Sequence, residues 1–99
     1  MSFEEYKSTV SQVQWSESDL KAVKAFFEKL SVEDSLSSES VQRILDETVQ
    51  VTALGRGKVF KPIRLACTGL SSGPHLPDCI AILGIGEILS RLSSLIQNV

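Results

Sequence analysis

Apolar residues in this chain recur mostly at three- and four-residue spacing, the period of a helix face and not that of a strand. Phe3, Tyr6, Val10 and Val13 make a first stripe. It predicts a helix that Ser2 caps, with Glu4 and Glu5 in the dipole-favoured first turn, ending near 12–14. Leu20, Val23, Phe26, Phe27 and Leu30 make a second stripe, with Lys21, Lys24, Glu28 and Lys29 outward. Ser16 and Asp19 resemble a capping box at its start, and Trp15 with Leu20 fits a hydrophobic staple. Residues 31–38 are polar and acidic and read as a linker. A third helix, capped by Ser37 or Ser38, runs to Val51 or Thr52 with Val41, Ile44, Leu45, Thr48 and Val49 inward.

Gly55 and Gly57 are expected to end that helix and make a turn. Pro62 disfavours helix at Lys61, so the next regular helix is expected to start at Pro62 or to kink there. Thr68 and Gly69 close it, and residues 70–72 form a loop. Gly73 is placed as an N-cap with Pro74 in the first helical position, unless Pro77 delays the start. Leu76, Ile80 and Leu83 form one face of this helix, Cys79 and Ile82 an adjacent one, and Gly84 ends it. A last helix opens at Gly86 and Glu87, with Ile88, Leu89, Leu92, Leu95 and Ile96 inside and Arg91 outside. The expected fold is therefore all-α, a compact bundle of about five to six helices.

Length and composition bound this picture. Ninety-nine residues with 42% hydrophobic content suit one globular domain with a core that needs no staples. Residues 2–54 read as its support and residues 57–97 as its working part. Two cysteines outside any Cys-x-x-Cys pair, and one histidine, argue against zinc and for free thiols in a reducing compartment. The first residues lack the basic and apolar regions of a signal peptide. The longest apolar run, 79–86, is too short to span a bilayer.

The net charge of −2 hides an asymmetry. Residues 1–54 balance to −5 and residues 55–99 to +3. Arg56, Lys58, Lys61 and Arg64 supply four of the five basic side chains of the second part, within nine positions. A basic cluster on an acidic chain implies either one confined contact with an anionic partner or a merely solvated helix face. Counted from Lys58, helical phase puts Lys58, Lys61, Arg64 and Thr68 on one side. Val59, Phe60, Ile63, Ala66 and Cys67 fall on the other. Arg64 borders both groups. It is either a fork for a base edge or phosphate, or a helix tie to Asp78 or Glu87.

Catalytic constellations are not evident. Asp46 and Glu47 point about 100° apart on a helix and make no carboxylate pair. His75 and Cys79 form the one dyad on offer, with no orienting third group or oxyanion loop. Neither a Walker A nor a complete dinucleotide fingerprint is present. No metal site and no cofactor are expected.

The stretches FKPIRLACTG, GPHLPDCIAILG and SRL, in that order and spacing, resemble the C-terminal anticodon-binding region of bacterial and organellar glutamyl-tRNA synthetases. That family runs x-P-L-R-x-A-L-T-G, then G-P-x-L-x-E, then L-L-G, then R-L. The likeness is strongest over residues 58–83 and weaker over 15–54. It implies an all-helical cage in which unstacked anticodon bases are read singly, as single-stranded loops permit. It implies recognition of the anticodon loop of tRNA(Glu) beside the synthetase's own catalytic domain, where ATP and Mg act. That domain's two adenylate-binding signatures do not occur in this sequence. Under the resemblance, Arg64 bonds a base or its phosphate, and Gly73, Pro74 and Leu76 pack against the anticodon. Lys58 and Lys61 neutralise phosphates. Ile85 and Gly86 depart from the family's Lys-Glu pair, and Gly73 from a polar residue. The setting implied is cytoplasmic or an organellar matrix, with a monomer and no membrane partner. The competing expectation is a helical protein–protein interaction domain that does not bind RNA.

Overall fold

Each helix of this protein buries one stripe, and α2 is the element on which most stripes converge. The structure, a computed structural model, describes residues 3–70, 73 and 75–97. The helices are α1 (Phe3–Ser11), α2 (Glu17–Leu30), α3 (Ser38–Thr52), α4 (Arg56–Thr68), α5 (Leu76–Leu83) and α6 (Ile85–Gln97). No strand occurs among the described residues, so the all-α expectation holds, with six helices. α2 packs against α3, α4 and α6; α5 lies on α3; α1 touches α4 and α6. The Cα radius of gyration is 12.0 Å, close to the roughly 13 Å of a compact hundred-residue domain. No single helix among the described residues is long and apolar enough to cross a membrane.

Local chemistry sets the starts of α2 and α3. Ser16 Oγ accepts the Asp19 N–H at 3.1 Å, and Asp19 Oδ2 accepts the Ser16 N–H at 3.1 Å. The expected capping box is therefore present. Ser37 caps α3 in the same reciprocal way with Ser40, at 3.2 and 2.9 Å. Replacing Ser16 with alanine removes the bond that Oγ accepts and leaves the one its N–H donates, and we expect a loss of about 1 kcal/mol in unfolding free energy. Urea denaturation monitored by circular dichroism measures it. Trp15, half-buried, donates Nε1–H to the Val10 carbonyl at 3.1 Å. It thereby closes the end of α1, which stops at Ser11 and not at 12–14. The expected cap at Ser2 lies outside the described residues, as do Ser71 and Ser72 of the 70–72 loop.

α3 runs to Thr52 as expected, but the residue that closes it differs from the sequence expectation, as do the starts of α4, α5 and α6. The C-cap of α3 is Ala53, which adopts a left-handed conformation (φ 58°). An alanine there costs about 1–2 kcal/mol relative to a right-handed residue. Helical bonding to Ala53 N–H, and Thr52 Oγ1 accepting the Leu54 N–H at 3.4 Å, hold it there. Gly55 is thereby free to start the next helix as its N-cap, and Gly57 lies inside α4.

α4 starts six residues before Pro62 and runs through it. An interior proline forfeits one ladder bond and costs about 3 kcal/mol. Val59 and Ile63, one turn apart on the same face, are both fully buried. Each contributes about 1.5–3 kcal/mol on burial, so packing offsets the break. The acceptor left over is the carbonyl of Lys58, an exposed residue with water at hand.

α5 starts late, at Leu76, with His75 as N-cap and Pro77 in its first turn. Gly73 is therefore loop and not cap, and α6 begins at Ile85 and not at Gly86. Ile82, expected on a face adjacent to that of Leu76, Ile80 and Leu83, is 83% exposed.

Candidate nucleic-acid interface

The exposed edge of α4 carries the cations, and the partners of neighbouring charges decide which of them are available. Arg56 is engaged: its Nη1 lies 3.2 Å from Asp46 Oδ1, and its guanidinium lies 4.6 Å over the Phe60 ring. Arg91 is engaged with Glu87 at 2.9 Å. Among the described residues no carboxylate pairs with Lys58, Lys61 or Arg64. Lys58 and Lys61 are exposed and Arg64 is half-buried. The helix-tie alternative for Arg64 needed Asp78 or Glu87. Asp78 instead accepts from Ser38 Oγ at the start of α3, and Glu87 accepts from Arg91.

Arg64 and Gly73, which precedes α5, come together. A Cβ placed on Gly73 would stand 3.3 Å from Arg64 Nη1. The φ of Gly73 is +154°, a value that side-chain-bearing residues rarely adopt. A side chain at this position would therefore crowd the guanidinium. Lys61 lies one turn before Arg64 on the same edge, and Lys58 one turn before that. Four sequence-predicted residues thus share this region: Lys58, Lys61, Arg64 and Gly73.

Leu76 is a correction. Its side chain is 2% exposed and belongs to the core, so it does not present the apolar surface for a base that the sequence reading assigned to it. Apolar contact with Ile80 and the rest of the core takes precedence, and only its main chain, at the start of α5, remains near the loop. Pro74, also predicted, lies outside the described residues.

Sequence reasoning missed one functional-looking arginine. Arg91 was expected outside and is 5% exposed. Its Nη1 donates to the Cys67 carbonyl at 2.6 Å, its Nε donates to Glu87 Oε1, and its guanidinium lies 4.8 Å over the Tyr6 ring. Tyr6, fully buried, donates its hydroxyl to the Ala66 carbonyl and also lies 3.2 Å from the Arg91 carbonyl. Burial raises the Tyr6 hydroxyl pKa well above its ordinary value. Burial also pushes the Cys67 thiol up to about 12, against the lowering effect of Arg91. Both groups therefore stay neutral in the interior at ordinary pH. The signal was present in the phase: Ile88, Arg91, Leu92 and Leu95 share one helical face, and all four are buried.

Among the described residues nothing else gathers chemistry. Among the described residues no three His, Cys, Asp or Glu side chains converge as a metal site. An open groove of about 880 Å³ is lined by Val10, Val13, Trp15 and Leu20, among others. None of the sequence-predicted site residues lines it.

An all-helical bundle with a short cationic edge beside a glycine loop is the setting in which family likeness becomes informative. The family model described as "Anticodon binding domain" matches residues 2–96, and the chain belongs to that family. It is 38% identical over 68 residues to a glutamate–tRNA ligase of Desulfitobacterium hafniense (strain Y51), covering 69% of this chain and 14% of that protein. A glutamate–tRNA ligase of Bacillus licheniformis is 35% identical over 77 residues, covering 78% of this chain and 16% of the relative. One from Listeria innocua is 33% identical over 78 residues, covering 79% and 16%. The chain thus spans about a sixth or less of the length of these relatives. No solved structure matches it.

Proposed function

We propose that this domain recognises the anticodon loop of tRNA(Glu) as part of a glutamate–tRNA ligase. In this reading Arg64 bonds an anticodon base or its phosphate, Lys58 and Lys61 neutralise flanking phosphates, and the loop at Gly73 and Pro74 packs against the unstacked bases. The start of α5 contributes main-chain donors there. Charging of the tRNA with glutamate, with ATP and Mg, belongs to the catalytic domain of the same enzyme, the domain's second partner. The setting is the cytoplasm or an organellar matrix.

The observation that carries this reading is Arg64. It is a half-buried guanidinium with no carboxylate partner among the described residues, lying beside Gly73, where a Cβ would crowd it. A guanidinium in that state has its planar set of donors free for a bidentate acceptor.

The test is titration of the 99-residue chain with an RNA stem-loop carrying a glutamate anticodon, at several salt concentrations. Three available cations are expected to give a slope of log K against log salt of about −2, from roughly 0.7 per neutralised phosphate on single-stranded RNA. Binding is weak, and it weakens further when the anticodon bases are replaced. An affinity indifferent to the anticodon would support the competing reading, in which the basic turn docks an acidic protein.

A further inference from the structure

The end of α4 is held by side chains from two other helices. A helix leaves its last carbonyls without intrahelical partners. Here the Leu65 carbonyl accepts from Gly69 N–H at 2.8 Å and the Arg64 carbonyl from Thr68 Oγ1 at 2.7 Å. The next two carbonyls, of Ala66 and Cys67, are taken by the Tyr6 hydroxyl of α1 and by Arg91 Nη1 of α6. A cation on the last carbonyls also matches the helix dipole. Glu87 fixes the other side of the guanidinium, and the Tyr6 ring lies beneath it. Immediately beyond this clamp the chain turns at Gly69 (φ 75°) into the segment that carries Gly73.

We infer that Arg91 and Tyr6 are positioning residues for anticodon reading: together they clamp the α4 terminus, and so set where the Arg64 guanidinium lies relative to the Gly73 loop. The inference rests on the functional reading above. Neither residue touches RNA in it, because both are buried. Arg64 stands two and three residues before the clamped carbonyls, and a Cβ built on Gly73 would lie 3.3 Å from its Nη1. A shift of the α4 end therefore changes how the guanidinium stands against Gly73. An exposed arginine with free donors would add affinity by charge; a buried one that bonds the α4 end through Nη1 and Glu87 through Nε adds geometry.

The test uses Tyr6→Phe, Arg91→Met and Arg91→Lys in the full chain. The readout is the ratio of affinities for the glutamate-anticodon stem-loop and for the same stem-loop with replaced anticodon bases. It is measured at a temperature where circular dichroism shows each variant fully folded. Tyr6→Phe and Arg91→Met are expected to lower that ratio by about 2- to 30-fold, the range of off-site coupling, while the salt slope stays unchanged. Arg91→Lys, which keeps a cationic donor toward the Cys67 carbonyl, restores part of it. In the RNA-free protein, the NMR signals of Arg64 Nε–H and the Gly73 amide are expected to move in Tyr6→Phe. If Arg91→Met does not fold, Tyr6→Phe alone carries the test, since it removes one hydroxyl and keeps the ring. A folded Tyr6→Phe with unmoved Arg64 and Gly73 signals and an unchanged ratio overturns the inference. If the unaltered chain shows no anticodon preference, the functional reading itself has failed. In that case the NMR shifts still report whether the clamp positions Arg64.

Discussion

Arg64→Ala is expected to weaken binding of a glutamate-anticodon stem-loop by about 1–3 kcal/mol, the usual value of a lost bidentate base contact. In affinity that is roughly 5- to 150-fold. The loss is expected to be larger for the cognate anticodon, because a base contact carries sequence information, whereas the part due to charge falls on every anticodon alike. Arg64→Lys is expected to recover the charge without the planar fork, and so to restore nonspecific affinity but little preference. Two neighbouring changes calibrate the result. Lys61→Ala is expected to lower affinity for all anticodons alike and to flatten the salt slope by somewhat less than one unit. Arg56→Ala is expected to change affinity little, because that guanidinium is committed to Asp46 and to the Phe60 ring. Fluorescence anisotropy on labelled stem-loops measures all four. An Arg64→Ala variant that binds every anticodon as the unaltered chain does would remove Arg64 from the interface.

The second large effect is on stability. Phe26→Ala is expected to lower the unfolding free energy by about 3–5 kcal/mol. Phe26 is fully buried on α2, the helix that packs on α3, α4 and α6, so no single neighbour can collapse into the space it leaves. Domains of this size hold about 5–15 kcal/mol in total, and each kcal/mol moves the midpoint by roughly 4–8 °C. Thermal melting should therefore fall by roughly 12–40 °C. Phe27→Ala, one residue along and only half-buried, is expected to cost clearly less. Equal losses at the two positions would show that α2 is not the central element.

The two arginines show why the site was only partly legible beforehand. Arg64 could be placed on the edge of the apolar face from its phase alone, and the structure puts it there, half-buried. Whether it was free or tied to Asp78 or Glu87 was left open, because an ion pair across helices depends on which helices are neighbours. Arg91 lies in phase with Ile88, Leu92 and Leu95, yet charge alone directed the expectation outward. Its burial is explained by an acceptor on α4, the Cys67 carbonyl, that lies 24 residues away in the chain. Leu76, proposed as a surface contact, is in the core with Ile80, the face on which its phase had placed it.

Taken alone, the order of residues determined what short-range physics controls. The 3.6-residue period gave the helical class, and serine caps set the starts of α2 and α3. The charge asymmetry marked α4 as the cationic element. Tertiary structure alone decided matters that rest on distant partners. It carried α4 through Pro62, because buried Val59 and Ile63 outweigh one missing hydrogen bond. It withdrew Arg56 from the basic cluster through Asp46. It also placed the Gly73 loop against Arg64. Periodicity is a property of neighbours along the chain, whereas the availability of a charge is a property of neighbours in space.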